Sequence, residues 1–427
     1  MWLVCIARTE VQAFCDHGTM MKRAYIFNTG CIRRALDATR ICDYLVRNGW
    51  AFTNHIRAAD LIVVGTCAAV RRNEEFSLTA IQNIVKKKSK SAQVIITGCL
   101  PKINPRGLGL LGHFTYIPTR ELDAFDSVLD AQIPLRTVPD ANMVTNEGGV
   151  FDYVLAYRSV RNSWAIRLFK RLSTMRHFLR LCILMGDLSN VFRSRLGYVA
   201  RRKIVPYYNI RIAEGCMGSC SYCAIRFATG RLQSKPIENI IGEFQAGLKQ
   251  GYRIFQFIAE DTGCYGQDCG LTITDLLKEI FAIEGEYRLI LIDFGPQWLV
   301  NDNGELMPLL ARNRDKIQEI YVSLQSGSDR ILQAMKRPYT IDDVKSTLKE
   351  LKKNIPGLIL RTTVIIGFPG ESEEDFHQTQ EALQDIGFSE VELNKYEDRA
   401  GTESSRMVDK ISQDVIERRY RELKKKL

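Results

Sequence analysis

The chain has 427 residues, 45% hydrophobic and 25% charged, an ordinary composition for a soluble globular protein long enough for two domains with their own cores. Its net charge of +10 favours an anionic partner without choosing among nucleic acid, a membrane surface and an acidic peptide. No apolar run reaches the roughly eighteen residues that a membrane-spanning helix needs. The 12 cysteines, with no export signal, point to metal ligation in a reducing, cytoplasmic setting rather than to a disulfide framework.

The opening MWLVCIARTEVQAF lacks a basic region followed by a long apolar one, so it does not read as a signal peptide. Residues 1–20 are expected to be an extension outside the catalytic fold, because MKRAYIFNTGC from Met21 already reads as a domain start. Three strand-like runs follow: AYIFNTGC ends at Cys31, ADLIVVGTC at Cys67 and AQVIITGC at Cys99. Each precedes a helical or loop segment, which predicts a small α/β sheet with one cysteine in each of three βα turns. Parallel strands put their C-terminal ends on one edge, so these thiols can converge although they stand 36 and 32 positions apart. A flavodoxin-like sheet with incidental cysteines is the competing reading. The repetition of one strand-end position favours a shared ligand set, a [4Fe–4S] cluster with one open iron.

Cys216 follows Cys99 by 117 positions, more than a short linker needs. Within that stretch Trp164, Leu168, Leu172, Met175, Leu179 and Cys182 recur at helical spacing, with arginines mostly elsewhere, so residues 161–185 read as a basic amphipathic helix. Packing on the body of the protein is the plain reading of that helix. Substrate docking and interfacial membrane binding are the others.

The β-rich YYNIRI then leads into Cys216, Cys220 and Cys223, spaced C-x3-C-x2-C. A structural zinc site wants four ligands, and neither a second pair at finger spacing nor a histidine within 35 residues of Cys216 supplies them. Three thiolates on a [4Fe–4S] cube leave one iron open for a small chelating molecule, here S-adenosylmethionine (SAM). A coincidental trio of buried thiols is the alternative. Downstream, strand-like RIFQFIAE, YRLILIDF, EIYVSLQS, LILRTTVIIGFPG and SEVELNKYE alternate with helical segments. With the first strand they predict six βα units, a partial parallel barrel whose ligands sit at strand C-terminal ends. Cys264 and Cys269 in CYGQDC are expected to be free thiols, two being too few to hold a cluster.

The C-x3-C-x2-C loop with Tyr222 before its last cysteine, GFPGE at Gly367–Glu371, and the dispersed and clustered cysteine sets together resemble the radical SAM methylthiotransferases. The resemblance runs from about Met21 to Leu427. It implies an α/β fold with an N-terminal parallel-sheet domain at 21–135, a linker carrying the basic helix at 136–205, and a partial (β/α)6 radical SAM barrel at 206–427. It also implies two [4Fe–4S] clusters, on Cys31/Cys67/Cys99 and on Cys216/Cys220/Cys223, together with SAM and a one-electron donor such as flavodoxin or ferredoxin. One cluster would cleave SAM to a hydrogen-abstracting radical. The other would deliver sulfur, methylated by a second SAM. From position and resemblance, SAM contacts are expected at Tyr222, Glu260, Asp261, Ser326, Gly367 and Gly370. RIAEGC, IAEDTGCYG and LRTTVIIGFPGE look most like the ribosomal-protein branch, whereas LQSGSDRIL looks more like the tRNA branch. A peptide or protein substrate is therefore expected, with tRNA adenosine as the alternative. A non-catalytic iron–sulfur or nucleic-acid-binding protein is the reading from another class. Three departures stand out: Arg34 and Gly65 occupy positions where the family carries Asn, and the expected C-terminal TRAM domain does not follow RRYRELKKKL.

Overall fold

The computed structural model describes residues 21–144, 207–302 and 304–427. The expectations for residues 1–20 and for the helix at 161–185 lie outside the described residues.

The first sheet holds β1 (Arg23–Asn28), β2 (Ala51–Phe52), β3 (Leu61–Thr66), β4 (Gln93–Gly98) and β5 (Thr115–Pro118), all parallel, in the order β2-β1-β3-β4-β5. β3, LIVVGT, is buried at every position, as expected of a parallel strand covered on both faces. On one face α1 (Ile32–Arg47) buries Ala35, Ala38, Ile41 and Leu45, a 3.6-residue repeat that packs on Ile26 and Val63. α2 (Arg71–Lys87) and α3 (Leu100–Ile103) cover the other face around Val64 and Ile96. The strand order reverses direction between β1 and β3, the place where open α/β sheets gather ligands. Cys31 comes three positions after the end of β1, and Cys67 and Cys99 follow β3 and β4 directly.

The second sheet is the expected six-stranded parallel set, in the order β13-β12-β11-β10-β9-β6. Its strands are β6 (Tyr208–Arg211), β9 (Ile254–Ile258), β10 (Arg288–Phe294), β11 (Ile317–Gln325), β12 (Ile359–Ile366) and β13 (Glu390–Lys395), and a short antiparallel pair, β7 (Ala213–Glu214) and β8 (Gln233–Ser234), brackets the cysteine loop. Helices α4 (Ile225–Thr229), α5 (Ile237–Lys249), α6 (Ile273–Ala282), α7 (Leu306–Arg312), α8 (Asp329–Ala334), α9 (Ile341–Asn354), α10 (Glu373–Ile386) and α11 (Gln413–Lys426) complete this half. α6 and α10 each begin with a capping box, Thr272 with Asp275 and Ser372 with Asp375, which satisfies backbone donors that a helix start leaves free. Period-two alternation divides the strands. Ile320, Val322 and Leu324 of β11 join the apolar core, while Tyr321, Ser323 and Gln325 face the other way.

α11 seals the far end of β12. Arg419 is 3% exposed at its side chain and pairs with buried Glu371 at 2.7 Å and with Glu373 at 2.8 Å. Burial pushes the Glu371 carboxyl up to about 7, against the Gly367 N–H and the Arg419 guanidinium that hold its charge. A folded-state value above the unfolded one means stability fully present at low pH and lost as pH rises. Stability contributed by Glu371 should thus decline between about 4.5 and about 7. Urea midpoints across that window should fall with pH in the native protein and flatten in Glu371→Gln. Equal slopes in the two would refute the assignment. Among the described residues no helix is long and apolar enough to cross a membrane.

Candidate active site

A cavity of about 1150 Å³ lies at the mouth of the barrel. Cys216, Cys220 and Cys223 line it, and so do Arg33, Ala69 and Val70 from the turns that carry Cys31 and Cys67. β11, β12 and β13 send in the alternate set of side chains, among them Tyr321, Thr363, Ile365, Glu392 and Asn394. Of the non-glycine residues with left-handed backbone among those described, Asp293 (φ 55°), Gln325 (φ 75°) and Lys336 (φ 59°) all face this cavity. Register shifts in β10 and β11 accompany the first two, so bulges aim these side chains inward at a cost in strain.

The Cys216–Cys223 loop is shaped to bring sulfurs together. The Gly218 N–H donates to the Cys216 sulfur at 3.1 Å. A Cβ at Gly218 would stand 3.3 Å from the Cys216 sulfur and 3.7 Å from that of Cys220, so the glycine keeps the space beside both thiols clear. Burial pushes the Cys223 thiol up to about 11. Cys216 is pulled below the usual thiol range, first by its hydrogen bond with Cys264 and also by Gly218, against its burial. Ser221 ties the loop to the end of α8, donating from its N–H to Met335 O at 3.1 Å and from its hydroxyl to Ala334 O at 2.8 Å. Past that point Lys336 turns the chain so that Arg337 donates to the Cys220 sulfur at 3.4 Å and to Ser323 O at 2.6 Å.

The dispersed set also converges. Cys67 is raised by burial and then by the charge of Cys31, and Cys99 by burial and then by Cys67 and Cys31, with Arg34 opposing both. Burial holds Cys67 and Cys99 above the usual thiol range, so a metal bound there would have to displace their protons. Gly98 adopts φ +99°, and a Cβ there would stand 2.3 Å from Thr66 O, so only glycine lets β4 turn into Cys99 beside β3. The departure at Gly65 has a physical counterpart. A Cβ at Gly65 would lie 2.5 Å from Asn28 Oδ1, and Asn28 caps its own turn through the Gly30 N–H at 3.2 Å. Asn28 at the end of β1 therefore leaves no room for a side chain at the end of β3. Three converging thiols on each side, with no fourth cysteine in either loop, fit a cluster with one open iron.

Arg33 crosses between the two halves. It donates to Ala259 O at 2.7 Å, pairs with Asp293 at 2.8 Å and lies 3.5 Å from Glu260. Glu260 accepts the Gly215 N–H at 2.8 Å, and its charge is felt by both Cys216 and Cys99. A second link runs from Arg399, which donates to Ala68 O at 2.7 Å beside Cys67 and pairs with Glu74 at 2.5 Å.

Of the residues expected to touch SAM, Tyr222, Glu260 and Asp261 line the cavity. Asp261 is already committed, accepting from the Gly263 and Gly295 N–H groups, Gln297 and Trp298. Ser326, Gly367 and Gly370 lie outside the lining: Ser326 is buried against Thr379, Gly367 packs under Ile416, and Gly370 donates to Asp409 O. Cys264 stands beside Cys216 and Asp261, with one donor atom from each within 4.8 Å of the others, a closeness that its position in CYGQDC does not signal. Arg33, Arg337 and the strand residues of β11–β13 were missed as well. Their alternation was readable, but not the face that it would line.

The family described as the Radical SAM superfamily matches residues 210–383, and Uncharacterized protein family UPF0004 matches residues 23–112. The chain is 31% identical, over 90% of its length and 78% of the relative's, to a protein of Pyrococcus abyssi named probable threonylcarbamoyladenosine tRNA methylthiotransferase. It is 26% identical, over 95% of its length and 81% of the relative's, to ribosomal protein uS12 methylthiotransferase RimO of Geotalea uraniireducens. Among solved structures, the radical S-adenosylmethionine methyltransferase TsrM from Kitasatospora setae, with cobalamin and a [4Fe-4S] cluster bound, shares the fold at a TM-score of 0.58 and 15% identity, covering 90% of this chain and 77% of that one.

Proposed function

The chain belongs to the radical SAM methylthiotransferase family, and from that premise we propose that it attaches a methylthio group to an unactivated C–H carbon of a peptide or protein. Its cofactors are two [4Fe–4S] clusters and SAM. One observation carries the choice of substrate. The segments that resemble the ribosomal-protein branch supply cavity residues, Glu260, Asp261 and Gly263 from IAEDTGCYG and Thr363 and Ile365 from LRTTVIIGFPGE, whereas LQSGSDRIL supplies Gln325 alone. A tRNA adenosine is the second reading, favoured by the name of the Pyrococcus abyssi relative and by a net charge of +10 that suits a phosphate backbone.

In this proposal Cys216, Cys220 and Cys223 hold one cluster and Cys31, Cys67 and Cys99 the other. When bound, one cluster with SAM supplies hydrogen abstraction at carbon, and the other supplies the sulfur. The chain's own residues bind and orient. Arg337 donates to the Cys220 sulfur and fixes the loop. Glu260 offers an acceptor and Tyr222 a flat face on the cavity wall. Asp261 holds the turn after β9 against β10 through Gly295 and Trp298. Arg33 keeps the Cys31 turn against the barrel mouth. Electrons come from a one-electron donor such as flavodoxin or ferredoxin.

The test incubates reconstituted protein with reductant and SAM against total tRNA, ribosomal protein uS12 and short acidic peptides. A polypeptide product roughly 46 Da heavier, SCH3 replacing H, is the expected outcome. The same addition on a tRNA adenosine alone would overturn the substrate. Absence of 5′-deoxyadenosine would point instead to the non-catalytic class.

A further inference from the structure

Arg337 brings a cation to the clustered cysteines and has no counter-charge of its own. Its Nη1 donates to the Cys220 sulfur at 3.4 Å, whereas the donor to the Cys216 sulfur, the Gly218 N–H, is neutral. The other partners of the guanidinium are neutral as well. Nη2 donates to Ser323 O at 2.6 Å, and Nε donates to the Tyr339 hydroxyl at 3.0 Å. No carboxylate of the described residues comes within ion-pair distance of Arg337. Arg33, on the same cavity, differs in this respect, because Asp293 meets it at 2.8 Å. The guanidinium is also held in place. Lys336 takes a left-handed backbone, φ 59°, which costs a residue with a side chain some strain and turns the chain from α8 toward the cysteine loop. Tyr339 is buried, its hydroxyl donates to Leu324 O at 2.7 Å, and its ring centre lies 5.3 Å from the guanidinium carbon. Arg337 is thus a half-buried cation, neutralised by no carboxylate and fixed against one sulfur of the loop.

We infer that Arg337 is a positioning residue that raises the reduction potential of the cluster held by Cys216, Cys220 and Cys223, by fixing a positive charge and a hydrogen bond at the Cys220 sulfur. The inference rests on reading those cysteines as cluster ligands. Reduction adds one electron, and both a cation and an N–H···S bond stabilise the more negative state more than the oxidised one. Partial burial weakens the solvent screening that would blunt the charge. Arg337 would thereby set how strong a one-electron donor the protein needs.

The test is a potentiometric titration of the reconstituted full chain, without SAM, followed by electron paramagnetic resonance, with Arg337→Met and Arg337→Lys. On the native protein, adding SAM marks the wave of the Cys216–Cys223 cluster by the change in its spectrum. Arg337→Met removes both the charge and the hydrogen bond. It should shift that wave to lower potential and leave the other in place. Arg337→Lys keeps the charge and should return the wave most of the way to its native position. An unmoved wave in Arg337→Met, equal displacement of both waves, or a Lys variant displaced as far as the Met variant would each overturn the inference. So would a Met variant holding half the native iron, which would make Arg337 a prop of the loop. Iron content separates this from failure of the underlying reading. Unchanged iron when all three cysteines are replaced refutes the ligand assignment, whereas two clusters with an unmoved potential refute Arg337 alone.

Discussion

Replacing Cys216, Cys220 and Cys223 with alanine is expected to halve the bound iron, from about eight atoms to about four, and to abolish formation of 5′-deoxyadenosine. The loop offers no substitute set. Cys264 lies beside Cys216, but it is fully buried and hydrogen-bonded to Asp261 O at 3.0 Å. Replacing Cys31, Cys67 and Cys99 should remove the other half of the iron while 5′-deoxyadenosine remains measurable, because the Cys216–Cys223 loop is tied to α8 and β11 by hydrogen bonds that none of those three thiols makes, although Ala224 and Ala228 just beyond it pack on the core of the first sheet. Methylthiolated product should disappear from both variants. Anaerobic iron and sulfide assays with product chromatography read all of this. A dispersed-set triple variant that keeps its full iron would refute the second cluster.

Arg419→Ala is expected to cost on the order of 3–5 kcal/mol, the usual penalty for removing one partner of a buried ion pair. Its side chain holds Glu371 and Glu373 together and covers the Phe376 ring at 5.6 Å. Without it Glu371, 2% exposed at its side chain, has the Gly367 N–H as its remaining donor. Its carboxyl already stands at about 7, and losing the cation raises it further. Below that value the group takes up a proton and escapes the penalty, so the destabilisation should shrink as pH falls. Denaturation midpoints of Arg419→Ala and the native protein, compared at acidic and neutral pH, check both the size and the trend. A midpoint gap that widens toward acid would reject the explanation.

Cysteine position and strand periodicity made the architecture readable. The two cysteine patterns and the alternation of β and α segments lead to a parallel sheet followed by a six-stranded partial barrel, because spacing and hydrophobic periodicity are local properties. What joins the halves is not local. Arg399 meets Ala68 across 331 positions and Arg33 meets Asp293 across 260, and neither arginine differs in pattern from a solvated surface residue. Ser326, Gly367 and Gly370 lie at or just past strand ends, but what surrounds each is again not local: Thr379 meets Ser326, Ile416 lies over Gly367, and a Cβ at Gly370 would meet only Arg330 Nη1, at 3.9 Å. Departures from a family pattern were visible as letters, but their compensation was not. That Asn28 fills the space above Gly65 is legible only when β1 and β3 lie side by side.

The two cysteine sets differ in how they are threaded, and this bears on how the protein is matured. Cys216 to Cys223 spans 7 positions of one loop, whereas Cys31 to Cys99 spans 68 and draws on three strands. In an unfolded chain, gathering the second set closes a loop about three doublings longer, worth roughly 2 kcal/mol of extra entropy. A scaffold that hands over a preformed cluster can load the short loop on a chain that is still largely unstructured. On the proposed ligand assignment, the dispersed site would exist only once β1, β3 and β4 have aligned, so metal held there would fasten the first sheet and its binding energy would become folding energy. Loss of iron would then mean two different things to the cell: from the short loop an enzyme awaiting repair, and from the dispersed site a domain at risk of unfolding.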